Sequence, residues 1–144
     1  MQKPNLLVLS QNAIFDMGQK SGKEVVYRTL QGLSEYFQVD IIAPGEPINI
    51  DDGQFFSLSS TWFNRLKSIK YIGHLFNYFY VFYLLFVVRK VVKNNGLQPD
   101  VVYLAGPWMS YIGHRLFKGK CPIVNRYYGV NWKPEQHHSM KQRL

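Results

Sequence analysis

The stretch of the sequence best suited to handling a phosphate is Ser21-Gly22-Lys23-Glu24. Glycine lets a backbone approach a ligand closely, and a helix starting there turns free N–H groups and the positive end of its dipole toward an anion. The same residues also satisfy a ligand-free reading, with Ser21 as N-cap and Glu24 closing a capping box. Capping does not account for the length of the preceding loop, Gln11 to Gly22. That loop has neither the dinucleotide glycine fingerprint nor the P-loop lysine pattern, so neither a dinucleotide nor a Walker site is expected. A second loop, Ala105-Gly106-Pro107-Trp108, reads as a tight strand-to-helix turn with a packing tryptophan. A third, Asn125-Arg126-Tyr127-Tyr128-Gly129, sets polar and charged residues at the end of a buried strand. A substrate would explain them, and so, for Arg126 alone, would a salt bridge to a helix. Cys121 has no implied partner and reads as a packing residue at a strand entrance. His137-His138 reads as solvated tail, and no metal site is implied.

These loops need elements to position them. Asn5 to Ser10 is a compact apolar run of the kind that forms a strand buried on both faces. From Lys23, the apolar residues Val25, Val26, Leu30, Leu33 and Phe37 recur at helical spacing, predicting a helix to Phe37. Val39 to Ala43 is a second strand, stopped by Pro44-Gly45, and Phe55 to Ser59 is a candidate third. Thr61 opens a long helical stretch closed near Asn94-Asn95-Gly96. Val101 to Leu104 is a strand, Trp108 to Phe117 a helix, and Pro122 to Tyr127 a last strand. Alternating strands and helices with buried strands predict an α/β, Rossmann-like parallel sheet flanked by helices. In such sheets ligands bind beyond the carboxyl ends of the strands, where the three loops fall.

The 144 residues fit one domain, and 47% apolar against 18% charged residues is a globular composition. Seventeen Lys and Arg against nine Asp and Glu give a net charge of +8, which favours anionic partners: nucleic acid, an anionic membrane surface or a phosphate-bearing substrate. The basic residues are scattered along helix flanks without a groove-reading or base-stacking motif, so nucleic acid is not expected. A single cysteine excludes an internal disulfide and fits a reducing cytoplasm. No secretory signal is visible, since the run after Lys3 is short and lacks a cleavage site.

Taken in order, several segments resemble the opening of the family 4 retaining glycosyltransferases. They are Asn5-Leu6-Leu7-Val8-Leu9-Ser10, Ser21-Gly22-Lys23-Glu24-Val25-Val26-Tyr27, Leu30-Gln31-Gly32-Leu33 and Val39-Asp40-Ile41-Ile42-Ala43-Pro44. Pro99-Asp100-Val101-Val102-Tyr103-Leu104 and Pro122-Ile123-Val124-Asn125-Arg126-Tyr127-Tyr128-Gly129 resemble later segments of the same family. The resemblance spans nearly the whole chain. It implies that residues 1–144 are the N-terminal, acceptor-side half of a GT-B fold, incomplete without a C-terminal donor domain and inactive alone. The implied reaction moves a sugar from a nucleotide-sugar donor to the hydroxyl of a glycan or lipid-linked acceptor, such as a polysaccharide precursor, without a cofactor. Ser21 and Gly22 would approach the donor phosphates, and Asn125, Arg126, Tyr128 and Gly129 would line the acceptor side. Ser21 replaces the first glycine of the family's loop pair, and Tyr103 and Tyr128 stand where the family commonly has histidine, so no histidine role carries over.

Tyr71 to Val88 approaches the length of a membrane span, but His74 and Asn77 interrupt it, and a span there would tear the sheet. Two readings stay open: a helix buried against the sheet, and partial insertion into a bilayer surface on the basic flanks Arg65, Lys67, Lys70, Arg89, Lys90 and Lys93. The second would place the chain peripherally on the cytoplasmic face of the cell membrane. The alternative to an enzyme is a non-catalytic Rossmann-like module that binds a membrane or a partner protein.

Overall fold

The computed structural model describes residues 1–11, 14, 23–58 and 73–126. Among the described residues five strands form one sheet: β1 (Asn5–Ser10), β2 (Gln38–Ala43), β3 (Phe55–Ser57), β4 (Val101–Ala105) and β5 (Ile123–Arg126). Three helices among the same residues flank it: α1 (Lys23–Ser34), α2 (Gly73–Asn94) and α3 (Pro107–Phe117). The strand order is β3-β2-β1-β4-β5, and every neighbouring pair is parallel. This is the Rossmann-like α/β architecture that the alternating pattern predicts.

The order follows from burial. Leu6 to Ser10 are all buried, so β1 must lie inside the sheet and be covered on both faces. It pairs with β2 through Leu7↔Asp40 and with β4 through Leu7↔Val102. Because side chains alternate, Leu6 and Val8 join Val39, Ile41 and Tyr103 in one core, closed by Tyr27 and Leu30 of α1 and by Ile14. Leu7 and Leu9 join Ile42, Val102 and Leu104 in the other, closed by Leu84 and Val88 of α2 and by Met109, Ile112 and Phe117 of α3. The chain leaves β1 toward β2 in one direction and leaves β4 toward β5 in the other. Right-handed crossovers then put α1 and α3 on opposite faces.

The helix ends show how local chemistry sets the boundaries. α1 stops at Ser34, three residues short of the periodic pattern: Phe37 N–H still bonds Leu33 O at 2.9 Å, and the chain then bends so that Gln38 N–H meets Pro4 O at 3.0 Å beside the first strand. Phe37 still packs against the α1-side core, from outside the helix. α2 ends at Asn94, where Gly96 adopts φ 59°. Leu97 N–H reaches Val92 O at 3.0 Å and Gly96 N–H reaches Lys93 O at 3.3 Å, a Schellman closure at the Asn-Asn-Gly cap expected from the sequence. The expected start of this helix at Thr61, and Ser59 and Tyr127 at the ends of two expected strands, lie outside the described residues.

No helix crosses between β2 and β3. Residues 44–54 return as a loop that lays Ile48 and Ile50 on the α1-side core. The Asp40 carboxylate accepts the Gln54 N–H at 3.1 Å and pins the end of this loop to β2. Burial holds the Asp40 carboxyl above its ordinary value, against the lowering effect of that hydrogen bond.

Two predictions follow from this packing. Gly113 is a buried helix residue facing Leu104, and an added Cβ would overlap both Leu104 methyls, which have no room to move. Overpacking costs about 1–3 kcal/mol, against a gain of roughly 0.8–1 kcal/mol for alanine over glycine in a helix. G113A therefore lowers the midpoint of denaturant unfolding. At Asp40 the raised folded value means that the native chain binds a proton more tightly than the unfolded chain. The favourable effect is present below the ordinary carboxylate value and is lost as pH rises through the folded one. Asparagine keeps the acceptor for Gln54, so in thermal melts D40N matches or exceeds the parent Tm near neutral pH and loses any advantage below about pH 3.

Candidate functional site

The sheet order reverses between β1 and β4, because the strands continue outward from these two in opposite directions. Ligands of open parallel sheets bind outside the carboxyl ends at such a point. Here the crevice is bounded by Ser10 and Gln11 on one side and by Ala105, Gly106 and Pro107 on the other.

One residue bridges the two strand ends. Gln11 N–H donates to Ala105 O at 3.0 Å, extending the ladder one residue past β1. The Gln11 Oε1 accepts the Trp108 N–H at 3.1 Å, capping the start of α3 from across the sheet. Gly106 makes this possible: its φ is 106°, and a Cβ there would stand 2.7 Å from both Gln11 Cβ and Oε1. Pro107 occupies the first helical position, where no N–H is needed. Trp108 packs edge-on against Tyr80 of α2, with ring centroids 5.1 Å apart. The second loop is thus the tight turn with a packing tryptophan that its sequence implies.

The third loop divides between the two faces. The Arg126 guanidinium donates to Tyr103 Oη at 3.1 Å and to Thr29 Oγ1 at 3.3 Å. It therefore ties the end of β5 to β4 and α1. Asn125 points to the other face, where its Nδ2 lies 3.0 Å from His114 Nε2 of α3 and its Oδ1 is buried without a hydrogen-bond partner. The two side chains thus lie on opposite faces of the sheet. Only Arg126 shares the α1 side with Ile14 and Tyr103.

Ser21, Gly22, Tyr128 and Gly129 lie outside the described residues, as do Arg65, Lys67 and Lys70. Arg89, Lys90 and Lys93 are exposed on the last turns of α2, remote from the crevice in sequence and on the opposite face from Arg126. Cys121 is half-buried and packs near the start of β5; desolvation, and then the charge of Asp100, push its thiol up, with Lys120 opposing. It is a packing residue with no activated thiolate. Among the described residues no group of His, Cys, Asp or Glu is arranged to hold a metal ion. A polar surface cleft of about 400 Å³ runs between Tyr27, Gln31, Ser34 and Asp51. It borders the C-terminal end of α1, away from the carboxyl edge of the sheet.

Gln11, Thr29 and Tyr103 are the positioning residues that sequence reasoning did not single out for this role. Tyr103 carried a signal, since a tyrosine inside an otherwise aliphatic strand needs a partner for its hydroxyl. Thr29 and Gln11 carried none, because their partners lie 97 positions away.

Comparison with protein-family models, with curated proteins and with solved structures finds no match to the chain.

Removing the Gln11 cap costs about 0.5–2 kcal/mol, the range for loss of a helix N-cap. Q11A is accordingly expected to lower stability by that amount in urea unfolding. G106A is expected to cost more, because about 1–2 kcal/mol of left-handed backbone strain adds to displacement of the same cap.

Proposed function

We propose that the chain is the acceptor-side Rossmann-like half of a retaining glycosyltransferase that moves a sugar from a nucleotide-sugar donor to an acceptor hydroxyl. The observation that carries this reading is the placement of Arg126, held by Tyr103 and Thr29, at the carboxyl edge of a parallel sheet next to its switch point. A guanidinium keeps its charge and offers several donors in a fixed fork. Positioned by two hydroxyls, such a group suits acceptor oxygens or the negative charge of a donor phosphate. The ordered resemblance of the strand and loop segments to family 4 glycosyltransferases supports the same assignment. In this reading the loop holding Ser21 and Gly22 faces the donor phosphates across a cleft completed by a second domain, which also supplies the donor site. The protein works in the cytoplasm, where Cys121 stays reduced, on a glycan or lipid-linked acceptor.

A second reading, a non-catalytic Rossmann-like module that binds a membrane or a partner, is favoured by the exposed aromatic face of α2.

The discriminating experiment reads the coding frame beyond Leu144 and assays the encoded protein for transfer from labelled nucleotide sugars. The proposal expects a second Rossmann-like domain carrying paired glutamates, and transfer activity. In that protein R126A lowers kcat/KM about 10- to 100-fold, the worth of a hydrogen bond to a charged group. Y103F, which removes one of the two hydroxyls that hold the guanidinium but leaves its charge, costs less than R126A. A stop codon followed by unrelated sequence, or a full-length protein that transfers no sugar, overturns the proposal in favour of the second reading.

A further inference from the structure

The long helix α2 has two apolar faces, and the fold uses one. Leu84 and Val88 are buried against the sheet, with Tyr80, Leu85 and Val92 packed beside them. On the opposite side Leu75, Tyr78, Phe79, Phe82 and Phe86 are between 63% and 76% exposed. Their spacing of three and four residues gathers them on one stripe, covering about a third of the helix circumference at 100° per residue. Over its length of roughly 17 Å, at 1.5 Å per residue, the stripe is a contiguous apolar patch of a size that needs an occupant.

The charges beside the stripe indicate the kind of occupant. The stripe runs straight into Arg89, Lys90 and Lys93, which are exposed and fall on the same arc of the helix. The 22 residues of α2 include no Asp or Glu, and the whole chain carries a net charge of +8. A partner must therefore accept aromatic rings at one end and three cations at the other. No helix among the described residues is long and apolar enough to cross a membrane. The buried face also fixes the helix to the sheet, so it can only lie along a surface.

We infer that the outer face of α2 docks on an anionic lipid bilayer. Its aromatic stripe enters the boundary between headgroups and acyl chains, and Arg89, Lys90 and Lys93 rest among the headgroup charges. Exposed Tyr78 suits that boundary, where an aromatic ring with a polar tip is best placed. A second copy of the chain fits less well, because α2 carries no Asp or Glu, so pairing this face with itself in either direction leaves the three basic residues without a counter-charge on the facing helix. The inference holds for a transferase and for a binding module alike, and its test is separate from theirs.

The test is co-sedimentation of the intact chain with vesicles of pure phosphatidylcholine and with vesicles in which about a third of the lipid is phosphatidylglycerol. Binding is expected to the anionic vesicles only, weakening as salt shortens the range of the charges. Far-UV circular dichroism should leave F79S/F82S/F86S and R89E/K90E/K93E indistinguishable from the parent, since all six side chains point to solvent. Each triple variant is expected to lose binding, the charge reversal by roughly a hundredfold or more, given the contribution of each basic residue near an anionic surface. In F82W, tryptophan emission should shift to the blue on anionic vesicles and not on neutral ones. Three outcomes overturn the inference: no binding to either vesicle, charge-reversed protein binding as well as the parent, or a dimer that the phenylalanine substitutions dissociate while vesicles leave it unaffected.

Discussion

The exclusion of water from both faces of β1 is the constraint on which the rest of the molecule depends. Leu6 to Ser10 are buried without interruption, so the strand needs a neighbour on each edge and a cover on each face. β2 and β4 provide the edges, and α1 on one side with α2 and α3 on the other provide the cover. Once β1 is central, the connections have to leave in opposite directions, and the crevice between β1 and β4 follows from that split. The candidate site is thus a consequence of packing before it is a feature of any loop.

The same constraint explains why the site is arranged as it is. Gln11 sits one residue beyond the buried run, and its side chain is used to cap α3 across the crevice, with Gly106 giving it room. The N-terminus of α3 is therefore occupied by protein. On the α1 side the guanidinium of Arg126 is held from two elements. On the opposite face of the sheet α2 is partly over-supplied with apolar residues. One side of it suffices to close the second core, and the aromatic side stays exposed.

Much of this was legible in the sequence because it is governed by local pattern. The buried run at Asn5–Ser10, the β-branched strand before Pro44-Gly45, the Asn-Asn-Gly cap and the Gly106-Pro107 turn each have a period or a turn residue that betrays them. What escaped is set by distance in the chain. Nothing near Gln11 announces Trp108, and nothing near Thr29 announces Arg126. The grouping of Asn125 with Arg126 followed adjacency in sequence, and the strand's two-residue period separates them. For α2, two readings of its apolar length, packed helix and surface helix, were set against each other. The structure gives it a packed face and an exposed face at once, so its burial does not decide against a role at a surface.

The central claim is that the molecule is held from β1 outward, and native-state hydrogen exchange of the intact chain tests it most directly. The account predicts that the amides linking β1 to β2 and β4, at Leu7, Leu9, Ile42 and Tyr103, exchange slowest and only through global unfolding. β3, with three residues at the sheet edge, should open earlier. Fast exchange at β1 while α2 or β3 stays protected would contradict the account, because the sheet would then be organised from an edge.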